Sequence, residues 1–537
     1  MEINLVNESA AKENINNLRD LVDMCAQRNS HGVAFRWIEN KEVKEVTYAQ
    51  FQSDINALGT YFYYCGFKGD TIAVIGENSY KWILTYFAVN AGGNIIVPID
   101  KDLKADAIIN VLRDSGAKAL IYTNSYARII EDIRKGSGVK PINVNELDVL
   151  IEKGRELLAK GKTKYLAAEI DDHDVSAIIY TSGTTGTPKG VMLNQYGIVS
   201  DAISAAHNVF IRDTSMLVLP IHHTFGFTAG IIAVLYYGYP IAINSSLRTF
   251  LNDIQVFKPQ NMFVVPMFVE SMYKKIIKNA EQKKILGMLK ALIKTSSAMR
   301  KIGIDKRKQL FKSVHEAFGG NLDTIISGGA PLDPNYCKYF DDFGIQILNG
   351  YGITECSPIV SVNCNDANRV GSVGKLLDIN DVKIINPDED GNGEICVRGE
   401  NVMIGYFKNK KATAEAFEDT WFKTGDIGHL DEDNYLYISG RQKNLIILGN
   451  GKNIYPEELE ELILRIPEAL EAVVFCENEE IAAEIYTEDE AAVRSAIRAL
   501  NRTLPVYKHI QKLSFRDSEF EKTTTKKIKR DLVAGKV

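Results

Sequence analysis

From about residue 70 onward, short apolar runs rich in β-branched residues alternate with amphipathic stretches. Residues 71–76 read as a buried strand and residues 80–90 as a helix. Residues 94–99, beyond Gly92-Gly93, read as a second strand. The same pattern predicts strands at 119–122, 177–180, 217–219, 262–265, 324–326 and 346–348. Apolar runs that do not alternate with polar residues belong to strands covered on both faces, the habit of parallel sheets flanked by helices. The expected class is α/β, with a large N-terminal domain of parallel-rich sheets covered by helices. The rhythm changes near Trp421, and beyond Arg441 a small α+β unit follows. There Pro456 opens a helix whose Leu459, Leu462, Ile463 and Ile466 share one face, and Pro467 blocks its continuation. Short strands at 472–475 and 481–486 come next, then a helix carrying Val493, Ile497 and Leu500 inward. The predicted division is a domain over 1–440, a connector at 441–443 and a second domain over 444–537, of ordinary domain size.

Composition narrows the class. A chain of 537 residues exceeds what one hydrophobic core supports, in keeping with two domains. With 45% apolar and 25% charged residues it is globular rather than disordered. Its 63 Lys and Arg against 69 Asp and Glu leave a net charge of −6, so no global basic excess speaks for nucleic acid. The one charge run in this reading is the C-terminal 522–530 segment. Seven cysteines, odd in number and never spaced CxxC, argue against a disulfide framework or zinc knuckle and suit a reducing cytosol. The first residues lack the basic and apolar regions of a secretory signal. The most apolar stretch, 230–243, is broken by Gly238 and Pro240 and is too short to span a bilayer. A cytoplasmic protein without a transmembrane segment is expected, with peripheral membrane contact left open.

The strongest chemical signal is Tyr180-Thr181-Ser182-Gly183-Thr184-Thr185-Gly186-Thr187-Pro188-Lys189-Gly190-Val191. A buried strand runs into glycines and hydroxyls that end in a lysine. Glycines let backbone N–H groups converge on an anion, hydroxyls add donors, and Lys189 adds charge; the combination suits a polyphosphate. A solvated Ser/Thr/Gly turn is the bland alternative. The string lacks Walker spacing, and Gly161-Lys162-Thr163 is a decoy with no preceding strand and a glutamate at position 156. His222 and His223 form a pair of the kind metal sites use, yet no Cys, Asp or Glu stands near them in the sequence; a structural role for one of them is the alternative. Glu355 alone would read as a solvated carboxylate, and Lys527 as part of a solvated basic tail.

Five further strings change that weighing: Leu219-Pro220-Ile221-His222-His223-Thr224-Phe225-Gly226, Ser327-Gly328-Gly329-Ala330-Pro331-Leu332, Asn349-Gly350-Tyr351-Gly352-Ile353-Thr354-Glu355, Trp421-Phe422-Lys423-Thr424-Gly425-Asp426 with Gly440-Arg441, and the tail Lys522-Thr523-Thr524-Thr525-Lys526-Lys527-Ile528-Lys529-Arg530. In this order they resemble the signatures of the adenylate-forming ligase superfamily of acyl-CoA synthetases, luciferases and peptide-synthetase adenylation domains. The resemblance implies ATP, Mg2+ and coenzyme A as cofactors and co-substrate. It implies phosphate binding by Thr181, Ser182, Gly183, Thr184, Thr185, Gly186 and Lys189. Gly328, Gly329 and Ala330 would face adenine, Asn349, Tyr351, Gly352 and Thr354 would frame it, and Glu355 would hold magnesium. Asp426 and Arg441 would bind ribose, His223 would meet the substrate carboxylate, and Lys527 would be the catalytic lysine. Lys526 stands where the family usually has glycine, and Met192-Leu193-Asn194-Gln195 replaces a common Thr-His.

The implied reaction forms an acyl-adenylate with release of pyrophosphate, then a thioester with release of AMP. The family rotates its small domain between these halves, with Lys443 at the hinge position and the 447–451 loop replacing the Lys527 loop. Residues 76–82, 265–270 and 449–458 resemble the long-chain fatty-acid branch, for which Phe225, Phe227, Val264 and Met267 are plausible tunnel walls and equally plausible core. A medium-chain or aryl acid ligase, or an acyl loader for a carrier protein, is the alternative within the class. From a different class stands an ATP-hydrolysing phosphate-loop protein, against which the missing Walker spacing and the net charge speak.

Overall fold

The computed structural model describes residues 14–181, 188–447, 452–477, 480–522 and 528–533. It divides into two compact units, one of Met1–Asp381 with Arg398–Thr420 and one of Val382–Val397 with Trp421–Val537. The second unit therefore takes in 382–397 and 421–440 as well as the segment beyond 444, and its border lies upstream of Gly440.

Among the described residues, the first unit holds a seven-stranded and a nine-stranded sheet. The seven-stranded sheet runs in the order Gly405–Tyr406, Lys189–Asn194, Val175–Thr181, Ile95–Ile99, Thr71–Ile75, Ala119–Tyr122 and Lys140–Asn143. Its last five strands are parallel, and the first two are added antiparallel. Ala73, Ile75, Val97, Ile99 and Leu120 pack here against Ile108, Val111 and Leu112 of the helix Ala105–Ser115, which explains why these runs carry no polar alternation. In the nine-stranded sheet Gln346–Gly352, Thr324–Ser327, Asn261–Val264, Ser215–Leu217 and Ile241–Ile243 are consecutive parallel neighbours. Each predicted strand is found. The 217–219 strand lies earlier, at Ser215–Leu217, because Val218 and Leu219 already belong to the turn leading to Pro220.

Local capping fixes the helices against these sheets. The Ser79 side chain accepts from Trp82 N at the start of Tyr80–Asn90, and Asn194 accepts from Gly197 N at 2.6 Å to start Gln195–Asn208. Asn194 and Gln195 are thus packing residues: the Gln195 carboxamide also accepts from Leu18 N and donates to Asn90 O.

In the second unit the helix Pro456–Leu464 packs Leu459 and Ile463 into a core with Ala472, Val474, Ile485, Val493 and Ile497. The helix stops two residues before Ile466, which sits in the following turn and still reaches the core. The strands Ala469–Glu477 and Glu480–Thr487 pair antiparallel, and Lys512–Arg516 adds a parallel third.

Candidate active site

The strand Val175–Thr181 and the strand Lys189–Asn194 form a hairpin in which Thr181 and Lys189 are register partners. Ser182, Gly183, Thr184, Thr185 and Gly186 lie outside the described residues, between these two anchors. The Lys189 ammonium stands over the ring of Tyr406, 4.9 Å from its centroid. Tyr406 comes from the short strand that pairs with Lys189–Asn194, its own partner there being Val191. Its hydroxyl donates to Glu355 Oε1 at 2.9 Å. One tyrosine thus touches both the lysine at the end of the glycine-rich string and the acidic residue of the Tyr-Gly-x-Thr-Glu string. Burial and the Glu355 charge hold the Tyr406 hydroxyl far above the usual phenol range, so it remains a donor.

Glu355 sits in a single turn, Thr354–Cys356, at the end of the strand Gln346–Gly352. Buried polar bonds hold that turn. Met403 N donates to Glu355 O, the Ser357 hydroxyl to Asn401 O, and the Thr228 hydroxyl to Ser357 O at 2.7 Å. Behind it the fully buried Asp201 accepts from Ile359 N and from the Asn401 amide at 2.8 Å. Burial pushes the Asp201 carboxyl well above the usual range. Gly352 is required by a close approach, since a Cβ there would lie 2.1 Å from Pro358 O. One Glu355 oxygen is held by Tyr406, and among the described residues the other accepts no hydrogen bond. A hard carboxylate oxygen so placed fits a magnesium ion that also meets phosphate oxygens.

Ser327 and Asn349 are register partners at the carboxyl ends of adjacent parallel strands, where ligands of open α/β sheets bind. Ser327 Oγ and Asn349 Oδ1 are both buried without a hydrogen-bond partner among the described residues. Orphaned buried polar atoms call for a partner, and the polar edge of a nucleotide base would supply one. Gly328, Gly329 and Ala330 follow the first of these strands, Gly329 with φ at +86°, while Tyr351, Gly352 and Thr354 continue the second.

The histidine pair lies on the turn after Ser215–Leu217. Asn78 fixes that turn, donating to Leu219 O at 2.7 Å and accepting from Ile221 N. The two rings stand 4.3 Å apart. His222 is buried, and its Nε2 is 3.3 Å from a carboxylate oxygen of Asp100. The sequence placed no acidic residue near the pair; the fold brings one from the end of the strand Ile95–Ile99. His222 is the more buried member of the pair, while His223 is only partly buried. A π-helix, Phe225–Ile232, follows immediately, a form common at functional sites.

His223 lines a narrow cavity of about 10 Å³ with Tyr86, Pro98, Leu193, Ile221 and Phe227. Of the four candidate tunnel residues only Phe227 lines this cavity, its ring 3.8 Å from that of Tyr86. Phe225 packs on Phe263, Val264 is fully buried in the core, and Met267 is exposed on the helix Pro266–Gln282. A roomier cavity of about 280 Å³, at Asn16, Asp172, His173, Tyr196 and Glu400, is polar and contains none of the motif residues.

In the second unit Asp426 and Arg441 are register partners on adjacent strands, Arg441 Nε donating to Asp426 Oδ1 at 2.8 Å. Asp426 is almost fully buried while Arg441 remains partly exposed, so the guanidinium holds the carboxylate in place with donors to spare. Lys443 is exposed in the turn Gln442–Asn444. Lys526 and Lys527 lie outside the described residues, and their flanks are anchored. Lys522 bridges to Ile528 and pairs with Glu471, and Arg530 pairs with Glu460, which also accepts from Val474 N. Burial raises the Glu460 carboxyl to about 7 despite the Arg530 charge. Sequence reasoning missed Tyr406, Asp100, Asn78 and Glu460; for Asp100 and Asn78 the usable signal was their place just past the carboxyl ends of predicted strands.

The chain resembles known proteins along most of its length. Over 92% of this chain and 91% of the relative's length, the sequence is 29% identical to the long-chain-fatty-acid–CoA ligase FadD15 of Mycobacterium bovis. It is also 29% identical to fatty acyl-CoA synthetase A of Dictyostelium discoideum, over 81% of this chain and 70% of that one. The fold matches an anthranilate CoA ligase, AuaEII, in complex with anthranoyl-AMP, at a TM-score of 0.79 and 21% identity over 97% of both chains. It also matches the o-succinylbenzoate CoA synthetase of Bacillus subtilis in complex with ATP and magnesium, at a TM-score of 0.73 and 24% identity over 96% of this chain and 99% of that one. The AMP-binding enzyme family itself matches residues 22–407, most of the chain and every strand end described in the first unit, so the chain belongs to the AMP-binding enzymes.

Proposed function

We propose that this enzyme activates a long-chain fatty acid to its CoA thioester. The chain is an adenylate-forming acyl-CoA ligase, using ATP with Mg2+ and taking a small carboxylic acid and CoA. In the first half-reaction a carboxylate oxygen of the acid attacks the α-phosphorus of ATP and pyrophosphate leaves. His223 orients that carboxylate, and Lys189, held over Tyr406, faces the departing phosphates together with residues 182–186. Magnesium, when bound, supplies charge neutralisation on the phosphate oxygens. Glu355 is the residue that would hold it. Asp426 and Arg441 bind the ribose hydroxyls, and Lys527 bridges the reacting oxygens. In the second half-reaction the CoA sulfur attacks the acyl carbonyl and AMP leaves. Lys443 is the proposed hinge between the halves.

The observation that carries the long-chain reading is the likeness, over nine-tenths of the chain, to ligases named for long-chain fatty acids. Carboxylate-dependent ATP–pyrophosphate exchange tests it on a panel from hexanoate to stearate with benzoate and anthranilate included. A kcat/KM that rises with chain length supports the proposal; a maximum on an aryl or short acid overturns it.

A further inference from the structure

Folding gathers a basic surface that is not visible as a charge run. Residues 274–312 carry 13 Lys and Arg against 2 acidic residues, while the rest of the chain has 50 against 67, a net charge of −17. The segment 522–530 carries only five of the basic residues, so it is not the largest reservoir of positive charge. The segment folds into the end of the helix Pro266–Gln282, the helix Leu286–Lys301 and two short helices that follow, all in the first unit. Its basic residues come singly or in groups of two or three, as at Lys274-Lys275, Lys283-Lys284 and Lys306-Arg307-Lys308, with apolar residues between the groups, so no long block forms.

The helix Leu286–Lys301 shows how the surface is built. Leu289 and Ser296 are buried, and Leu292 and Ile293 pack against the same core. At 100° per residue, Lys290, Lys294 and Lys301 fall together on the opposite face. Beside them runs a second exposed stripe of Met288, Ala291, Thr295 and Ala298, continued by Ile302 just past the helix end. Met288 is 57% exposed and Ile302 73% exposed. The turn Lys301-Ile302-Gly303-Ile304, with Gly303 at φ +79°, holds Ile304 out as well.

The charges on this face are not spent inside the protein. The two arginines of the segment are: Arg300 and Arg307 both pair with Asp341, and Arg307 also with Asp305. By contrast Lys278, Lys283, Lys284, Lys290, Lys294 and Lys301 make no ion pair among the described residues, and all six are exposed.

We infer that this face docks the enzyme on an anionic lipid bilayer, with the helix Leu286–Lys301 lying along the headgroups and Met288, Ile302 and Ile304 entering the acyl boundary. Hydrated lysine point charges on long stems suit diffuse headgroup charge, whereas recognition of protein carboxylates uses the bidentate fork of arginine, and both arginines here are occupied. Exposed apolar side chains between the lysines fit an interface with an apolar layer beneath it and are wasted on a polyanion in water. The negative remainder of the chain is repelled by the same bilayer, which leaves this face to meet it. Its charge is the same whichever acid the enzyme activates.

The test is co-sedimentation of the full chain with vesicles of phosphatidylglycerol and phosphatidylcholine, and with phosphatidylcholine alone, at about 0.1 M salt. Binding to the anionic vesicles only, reversed by high salt, is expected. Each lysine near the surface changes partitioning about fivefold, so Lys290→Gln, Lys294→Gln and Lys301→Gln together should weaken it about a hundredfold. Ile302→Ser with Ile304→Ser should weaken it without changing the salt dependence. Lys135→Gln, Lys153→Gln and Lys160→Gln, exposed elsewhere on the same unit, should leave it unchanged. Pyrophosphate exchange with a water-soluble acid should be normal in every variant, which shows that each is folded. Equal binding to neutral vesicles, equal losses in the two lysine triples, or stronger binding to duplex DNA or polyglutamate than to anionic vesicles would each overturn the inference.

Discussion

Tyr406→Phe isolates the contact that links Lys189 and Glu355, the two residues proposed to face the phosphates. The substitution keeps the aromatic ring, and with it the face over which Lys189 stands, and removes only the hydroxyl that donates to Glu355 Oε1 at 2.9 Å. Hydrogen bonds to charged groups contribute about 1.5–3 kcal/mol. Glu355 is only partly buried, so water replaces some of the lost bond and the lower end applies, about 1.5 kcal/mol or roughly tenfold. The loss should fall on magnesium dependence, because the freed carboxylate samples other rotamers and its coordinating geometry is no longer fixed. Pyrophosphate exchange at saturating ATP should therefore need about ten times more Mg2+ for half-maximal rate. ATP binding by calorimetry should weaken in the presence of Mg2+ and stay unchanged in EDTA.

Two controls bound the interpretation. Tyr406→Ala also strips the ring from Lys189, a further loss of about 0.5–2 kcal/mol, which should appear with and without the metal. Since the tyrosine hydroxyl is held far above the usual phenol range, neither the wild-type rate nor its Mg2+ dependence should show a tyrosine titration up to pH 10 or so. A Phe variant with normal magnesium dependence, or one that loses rate at every Mg2+ concentration alike, would refute the positioning role.

Lys527→Ala should nearly abolish adenylation while Lys526→Ala is mild, and the reverse ranking in pyrophosphate exchange would show that the tail is read one residue out of phase. Lys443→Pro, which fixes φ near −65°, should spare adenylation at least in part and collapse thioester formation from supplied acyl-adenylate; equal losses in both halves would remove the hinge. Asp201→Ala should cost about 2–3 kcal/mol of stability, read by denaturant unfolding, because Ile359 N and the Asn401 amide lose their buried acceptor. Glu460 has a folded pKa of about 7, above the ordinary 4.5, so its contribution is fully present below pH 4.5 and is lost as pH rises through 7. Unfolding free energy of wild type relative to Glu460→Gln should fall across that window by at most about 3 kcal/mol; parallel pH profiles would show that the carboxylate is not held by burial.

The strands were legible because burial on both faces leaves a local mark. Ala119–Tyr122 is found where the pattern put it, and Val74, Leu120 and Ile121 are fully buried. The motif strings were legible for a related reason: strand ends, glycines and charges lie within a few residues of one another. What the sequence did not reveal is long-range pairing. Tyr406 lies 51 residues from Glu355, and nothing near Gly405-Tyr406 distinguishes it from any short apolar pair. Asp100 was passed over because the histidines were judged by their sequence neighbours, although residues just past strand ends share one edge of a parallel sheet. The basic surface at 274–312 escaped for the opposite reason, since helical spacing disperses in sequence what it gathers in space.

The same long-range bonds tie the proposed acid side of the first unit, at His223, to its proposed metal side, at Glu355. The π-helix Phe225–Ile232 supplies Phe227 to the cavity beside His223, and one residue later Thr228 donates to Ser357 O in the turn that carries Glu355. Ser357 in turn donates to Asn401 O, and Asn401 is braced by Asp201, which sits on the helix Gln195–Asn208. Every link is a hydrogen bond between groups that are buried or nearly so, where losing a partner is expensive and small rotations are resisted. A rigid connection of this kind means that an acid which displaces Phe227 pushes on the segment that positions Glu355. If His223 and Glu355 take the roles proposed for them, the choice of acid and the handling of the phosphates are coupled through these bonds, and chain-length profiles measured at one Mg2+ concentration should differ from those measured at another.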